Sequence, residues 1–228
     1  RDVKGTDTPI AAGPGSRPSF RLLGYFSIAS SLGIVFAGIS LVFFYRQVAL
    51  NDLMEMGERN NVALARAVAN AHWPHVAPLL SGAGLNADQL RPRPEIAALR
   101  QDIVDHLSGL SVVNVKIYTL SGLTVFSTES SQIGEEKGAN AGFLSARSGK
   151  VASQVTHRGT FNAFDGEIDN RDLLESYIPL RPEPGGPVQG VFELYSDVTP
   201  LLKRIQANLA FVIFGVGLIL GMLWGILL

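Results

Sequence analysis

Two stretches of this sequence carry no charge and are long enough to cross a bilayer, and they restrict what the rest can fold into. Residues 22–45, "LLGYFSIASSLGIVFAGISLVFFY", lie between Arg21 and Arg46. Residues 209–228, "LAFVIFGVGLILGMLWGILL", close the chain. About 20 helical residues span a hydrocarbon core of about 30 Å, so both are expected to be transmembrane helices in contact with the lipid bilayer. Composition agrees: 46% of the 228 residues are hydrophobic, 17% are charged, and the mean hydropathy is +0.22, more apolar than an ordinary soluble domain. A signal peptide would also place basic residues such as Arg17 and Arg21 before an apolar run. This run, however, exceeds the usual length and continues into a helical pattern with no small-residue cleavage site, so it reads as a retained anchor. A chain that starts on Arg1 and stops without a polar flank after the second run reads as part of a longer protein.

Residues 46–208 lie between the two spans, with 15 Lys and Arg against 18 Asp and Glu. That is enough chain for one compact domain with its own core, and its near-neutral balance gives no reason to expect nucleic acid. The first 21 residues, "RDVKGTDTPIAAGPGSRPSFR", hold four basic and two acidic residues amid Gly, Pro and Ser. They are expected to form a disordered tail, placed in the cytoplasm by the positive-inside tendency, with the middle domain outside. There is no cysteine, so no disulfide can staple that domain.

After Arg46, apolar residues recur at three- and four-residue spacing (Leu50, Leu53, Met54, Val62, Ala65, Val68, Ala69), so the first span is expected to extend outward as one helix. Pro74 in "HWPH" is expected to end it. "EIAALRQDIVDHLSG" predicts a second helix with Ile96, Leu99, Ile103 and Leu107 on one face and Gly109 at its C-terminal end. The period then changes. "VVNVKIYTLSGLTVFST" predicts strands over residues 112–120 and 123–128 around Ser121-Gly122. "NAGFLSARSG" predicts a short helix capped by Asn140, and "KVASQVTHRGTF" a third strand. "DLLESYIPLRP" and "PVQGVFELYSD" predict two more strands joined by the turn "EPGGP". The acidic "NAFDGEIDNRD" lacks the spacing of a calcium loop and is expected to be a plain loop. Thr199 is expected to cap the final helix, with Pro200 as its first residue, and that helix can run unbroken into the second span. The expected fold class is therefore α+β, a five-stranded antiparallel sheet preceded by long helices. Its expected divisions are a tail over 1–21, a span over 22–45, an outer domain over 46–199 and an exit helix over 200–228.

Three stretches carry a family resemblance: "VVNVKIYTLSGLTVFST", "SYIPLRPEPGGPVQGVFELYSD" and Asp197-Val198-Thr199 at the start of the exit helix. Over residues 46–205 the chain resembles the periplasmic PAS-like sensor domain, of PDC or Cache type, found in bacterial transmembrane receptors. The tripeptide is similar to the Asp-[Ile/Val]-Thr signature with which many PAS domains hand over to an effector helix, so Asp197, Thr199 and Pro200 are the expected signal-transfer residues. The resemblance implies a module of the bacterial inner membrane with a periplasmic domain, serving a histidine kinase first and a diguanylate cyclase next. An accessory subunit whose outer domain binds a protein partner is the alternative.

Enzymatic constellations are missing from the sequence: no cysteine nucleophile, no Gly-x-Ser-x-Gly elbow, no phosphate-binding loop and no paired carboxylate motif. No cofactor is expected, and no metal either, because His72 and His75 flank the helix-breaking Pro74 and read as surface or capping histidines. This fold class commonly encloses a small solute against one sheet face. Lys116 and Tyr118 alternate with Val115 and Ile117, so they share the opposite face. With Arg147, His157, Arg158 and Tyr177 they make the expected ligand-binding set, and Tyr195 lies on the last strand. A carboxylate solute would pair with Arg147, Arg158 or Lys116 and be oriented by a tyrosine hydroxyl. The competing reading is a solvated polar face. In the membrane, Ala29, Gly33 and Ala37, and Gly217, Gly221 and Gly225, form stripes of small residues four apart that predict close helix packing and a homodimer.

Overall fold

The computed structural model describes residues 19–81, 87–183 and 185–227. Most of the segment expected to be a disordered tail lies outside the described residues, as do residues 82–86 and Pro184 from two expected loops. Helix α1 (Ser19–Ser81) is followed by a single turn α2 (Ala87–Leu90), α3 (Pro94–Leu107), β1 (Val112–Tyr118), β2 (Thr124–Ser127), α4 (Ala141–Arg147), β3 (Ala152–Ala163), β4 (Gly166–Leu180), β5 (Gly190–Asp197) and α5 (Thr199–Leu227). The fold is α+β. Its five strands are antiparallel, in the order β2-β1-β5-β4-β3. The chain falls into two compact units, one made of the segments before Tyr45 and after Leu209, the other Tyr45–Leu209.

In the first unit, α1 and α5 each contain a window long and apolar enough to cross a membrane. Phe26, Phe36, Phe44, Phe211 and Phe214 all face outward there. The two helices meet at Gly38, where an added Cβ would stand 3.1 Å from Val216 Cγ1, and Trp224 Nε1 donates to Ser31 Oγ at 3.0 Å. The expected stripes do not make this contact. Gly33, Gly217, Gly221 and Gly225 have no atom within 4 Å of where a Cβ would stand, and Ala29 and Ala37 are exposed.

The second unit is built around one face of the sheet. Leu53, Asn61, Ala65, Val68, Ala69, His72, Val76 and Leu79 are the buried residues of α1, at the three- and four-residue spacing of a single stripe. Ile96, Leu99, Ile103 and Leu107 of α3 are buried as expected. Both helices pack on Val115, Ile117, Phe126, Ile178, Phe192 and Leu194 of the sheet. Small residues bring α1 close, and a Cβ on Gly57 would stand 2.4 Å from Leu174 Cδ2. Gly109, at φ +78°, ends α3 in the left-handed conformation its position requires.

Two expectations fail here. Pro74 does not end α1, which carries both Pro74 and Pro78 to Ser81. Both prolines are exposed, and the carbonyl that Pro74 leaves unpaired belongs to exposed Asn70, where water can satisfy it. Burial of Val76 and Leu79 in the core then holds the last turns in place. The acidic "NAFDGEIDNRD" is not a loop either. β3 and β4 pair through it from Arg158↔Arg171 to Ala163↔Gly166, with only Phe164 and Asp165 in the turn. Gly166 at φ +119° supplies the turn conformation. Asn170 at φ +53°, opposite Gly159 in register, marks a bend in this arm. The tip returns to the sheet, where Phe164 N–H donates to Val113 O at 2.9 Å and Asn114 Nδ2 donates to Asn162 O at 3.1 Å.

One polar residue of α1 reaches the sheet through the apolar layer. Asn61 is buried, its Nδ2 donates to Ser176 Oγ at 2.9 Å, and its Oδ1 accepts from Ser196 Oγ at 2.7 Å. It ties α1 to β4 and β5 in one register, where apolar contacts alone would allow sliding. Replacing Asn61 by Leu is expected to cost about 1–3 kcal/mol, because the buried Ser196 hydroxyl loses its acceptor and Ser176 keeps only Ser153; urea denaturation of the full chain in detergent measures it.

Candidate functional site

The other face of the sheet is polar and covered over β1, β5 and the inner part of β4, with its β3 edge exposed. Strand alternation sends Lys116 and Tyr118 of β1, Glu175 and Tyr177 of β4, and Glu193 and Tyr195 of β5 to this face. All six side chains are buried. Phe143 and Ala146 of α4 pack over Tyr118, Tyr177 and Val191, and the Phe161 ring from the β3–β4 arm lies 4.9 Å from that of Tyr195. Asn140 caps α4 as expected, its side chain accepting from Phe143 N–H at 3.0 Å. Gly142 lets Tyr177 lie against the helix, since a Cβ there would stand 2.3 Å from the tyrosine ring. The solvated-face reading is thereby overturned for Lys116, Tyr118 and Tyr177: the face is closed by α4 and by an arm that bends back over it.

Two carboxyl groups lie at the centre. In the ladder Glu193 stands opposite Lys116 on one side and Tyr177 on the other, while Glu175 stands opposite Tyr195. Glu175 and Glu193 are therefore diagonal neighbours. Tyr118 Oη donates to Glu193 Oε2. Tyr177 Oη donates to Glu175 Oε1 at 2.6 Å, and Tyr195 Oη lies 2.9 Å from Glu193 Oε1 and 3.1 Å from Glu175 Oε1. Gln154 Nε2 of β3 donates to Glu175 Oε2 at 3.0 Å. Lys116 Nζ pairs with Glu135 Oε2 at 3.5 Å.

Burial raises the Glu193 carboxyl above the ordinary range, and its hydrogen bond with Glu175 adds to the rise. Burial also opposes ionisation of Glu175, but hydrogen bonds from Glu193, Tyr177, Gln154 and Tyr195 outweigh it and bring that carboxyl below the ordinary range. These environments push the two carboxyls apart, favouring the protonated form at Glu193 and the ionised form at Glu175. The three tyrosines are pushed up, first by burial and then chiefly by Glu193, so they remain hydroxyl donors. A cleft of about 270 Å³ opens beside this cluster, lined by Asn140, Gly142, Ala152, Ser153, Gln154 and Tyr177.

Of the expected ligand-binding set, Lys116, Tyr118 and Tyr177 join the cluster. Arg147 lies in the last turn of α4, exposed, with Nη1 3.4 Å from Leu120 O. His157 is exposed and pairs with Asp172 at 2.9 Å. Arg158 stands across the ladder from Arg171, and its Nε is buried without a partner. Glu175 and Glu193 were missed by the sequence reading, although a signal was present. Each is a lone charge within the mainly apolar part of its strand, "LLESYIPL" and "VFELY", and each has a tyrosine two positions on.

The junction of β5 with α5 is held to β4. Thr199 does not cap the helix, because its Oγ1 accepts from Asp172 N–H at 2.9 Å. The carboxylate of Asp197 takes that role, accepting from Thr199 N–H at 2.9 Å, while Oδ2 pairs with Arg171 at 3.3 Å. Val198 N–H donates to Asp172 O at 2.9 Å. Pro200 occupies the first turn of α5, where its missing N–H leaves no orphan donor.

No family model matches the chain, and no curated protein matches it. Among solved structures, the chain is similar to the E. coli DcuS sensor domain, at 17% identity and TM-score 0.43, over 68% of this chain and 98% of that one. It is similar to the V. cholerae histidine kinase DctB sensor domain at 13% and 0.35, over 68% of this chain and 58% of that one. It is also similar to the ligand-binding domain of the Campylobacter jejuni chemoreceptor Tlp3, solved with L-valine, at 10% and 0.35, over 79% of this chain and 66% of that one. At these identities the likeness concerns fold, and no residue role is transferred.

The His72–His75 pair also takes a different form from that expected. His72 is buried in α1 with its Nε2 unpartnered, and its ring meets that of His106 from α3 edge-on at 5.3 Å. Burial lowers its pKa first, and the nearby His106 and His75 add to this against the opposing pull of Asp102. The unfolded chain therefore takes up a proton on His72 more readily than the folded chain, from about pH 6.5 downward, so stability is lost as pH falls below that value. The melting temperature is expected to drop between about pH 7.5 and 5.5, and to drop less in His72→Leu; thermal melts of both proteins check this.

Proposed function

We propose that this chain is the membrane-anchored, extracytoplasmic sensor region of a signal-transduction receptor, which binds a small solute and passes its state along α5. The single observation that carries the reading is that the strand bearing the buried Glu193 is the strand that becomes α5, through a junction hydrogen-bonded to β4. A change in the packing of Glu193 and Tyr195 can therefore reach Asp197, Thr199 and Pro200 without crossing a flexible linker. The two apolar helices support placement in a membrane, with the second unit outside the cytoplasmic membrane of a bacterium. The solute site is the cleft beside Gln154 and Tyr177, whose polar groups both contact Glu175. Lys116 and Tyr118 act on the same solute through the cluster, whereas Arg147, His157 and Arg158 do not line the cleft. The module binds and does not catalyse, and its effector is a histidine kinase first and a diguanylate cyclase next. The open stripes of small residues suit packing against a second copy.

The test is a thermal-shift screen of the full chain in detergent against organic acids, amino acids and divalent metals. A solute at a hundred times its Kd adds about 2.7 kcal/mol, and the expected result is such a shift, reduced by Gln154→Ala. A flat screen with co-purification of another membrane protein would favour an accessory subunit instead. For the handover, inserting one residue after Thr199 rotates all that follows by about 100°. In a chimaera with a kinase output, that insertion is expected to abolish the response, and an unchanged response would refute a helical handover.

A further inference from the structure

The hydrogen-bond network on the covered face needs more protons than its hydroxyls supply. Four short oxygen–oxygen contacts join the tyrosines to the two carboxyls: Tyr118 to Glu193, Tyr177 to Glu175, and Tyr195 to both. Three hydroxyls bring three protons, and each donates one bond at a time. Tyr195 can serve only one of its two carboxylate oxygens, and the other contact becomes attractive only if that carboxyl brings a proton of its own. Two adjacent buried carboxylates with no such proton would face each other as like charges in a medium of low dielectric constant.

We propose that the Glu175–Glu193 pair holds one dissociable proton, and that loss of this proton is the stimulus the domain reads. The inference rests on the sensor reading above and names the chemical class of its input, hydrogen ion. The charged and titratable groups facing the pair are few: Lys116 and Tyr118 from β1, Tyr177 from β4 and Tyr195 from β5, with Glu135 behind Lys116. β3 presents uncharged Gln154 and Thr156 to Glu175, and further along its Arg158 opposite Arg171. α4 presents only Phe143 and Ala146, and the returning arm presents Phe161. Only Lys116 can answer a second negative charge. It stands opposite Glu193 in the ladder and is held 3.5 Å from a half-exposed Glu135 that can release it to water. Burial favours the proton on Glu193, whose carboxyl is raised above the ordinary range. Folding stability owed to this carboxyl is full below the ordinary carboxylate value and is lost as pH rises towards the raised one. Deprotonation therefore acts on alkalinisation, and it acts on β5, four residues before Asp197.

The proton can be seen directly. Infrared difference spectra of the full chain in detergent, in H₂O and D₂O, are expected to show a protonated buried carboxyl at neutral pH that disappears on alkalinisation and is absent from Glu193→Gln. The chain has no cysteine, so Leu201→Cys accepts a single spin label in the exposed first turn of α5. Its mobility is expected to change with the same midpoint as the infrared band, and to lose that pH dependence in Glu193→Gln. Tyr195→Phe keeps both carboxyls while removing the bridging hydroxyl, and it is expected to raise the midpoint even where Glu193→Gln does not fold. Absence of a protonated carboxyl in the wild-type chain, or its persistence in Glu193→Gln, would overturn the assignment. A band that titrates while the label stays unmoved would overturn the switch. The sensor reading is judged separately, since a solute that stabilises the chain with no buried proton present leaves it intact.

Discussion

Two carboxyl groups placed diagonally on neighbouring strands and buried there impose conditions on everything nearby. Removing one ionised carboxylate from water costs several kcal/mol, and a second like charge beside it costs more. The structure meets that demand locally with three tyrosine hydroxyls, Gln154 and Thr156. Each of these donors must be held in place, and that requirement explains the surrounding architecture. The absent Cβ of Gly142 lets α4 close over Tyr177. The bend at Asn170 lets the β3–β4 arm reach β1 and lay Phe161 against Tyr195. An apolar cover over a hydrogen-bonded polar layer gives a face that is rigid while its proton count is correct.

The two faces of the sheet do different work. The face under α1 and α3 is an apolar interior with one polar pin, Asn61, and it fixes α1 against β4 and β5. The opposite face holds the ionisable groups and the cleft. β4 and β5 take part in both, since their successive residues alternate between the faces. Any rearrangement on the ionisable face is therefore felt by the strands that carry α1 on one side and lead into α5 at their end. Asp172 and Thr199 close that path by bonding the junction to β4.

Some of this was legible from residues alone. The stripe Ile96, Leu99, Ile103 and Leu107 declared the buried side of α3, because helical spacing leaves few other uses for it. Asn140 declared the start of α4, because an orphan N–H needs a nearby acceptor. Pro74 misled, since the cost of a helix proline depends on whether water can reach the freed carbonyl. Thr199 misled in the same way: a hydroxyl beside a helix start can cap it or serve a neighbouring strand. The nearby Asp197 carboxylate, a stronger acceptor, took the cap.

By itself, the sequence determined the two apolar helices, the order of helices and strands, and the alternation that puts Lys116 and Tyr118 opposite Val115 and Ile117. These follow from local periodicity and from the length of uncharged runs, which need no knowledge of distant neighbours. Only the tertiary structure decided that the second sheet face is closed, that Glu175 meets Glu193, and that Tyr195 lies between them. Those facts depend on strand register and on an arm folding back from 48 residues along the chain, from Asn162 to Asn114. The ionisation of a carboxyl depends on what surrounds it in space, and a residue's sequence neighbours supply little of that.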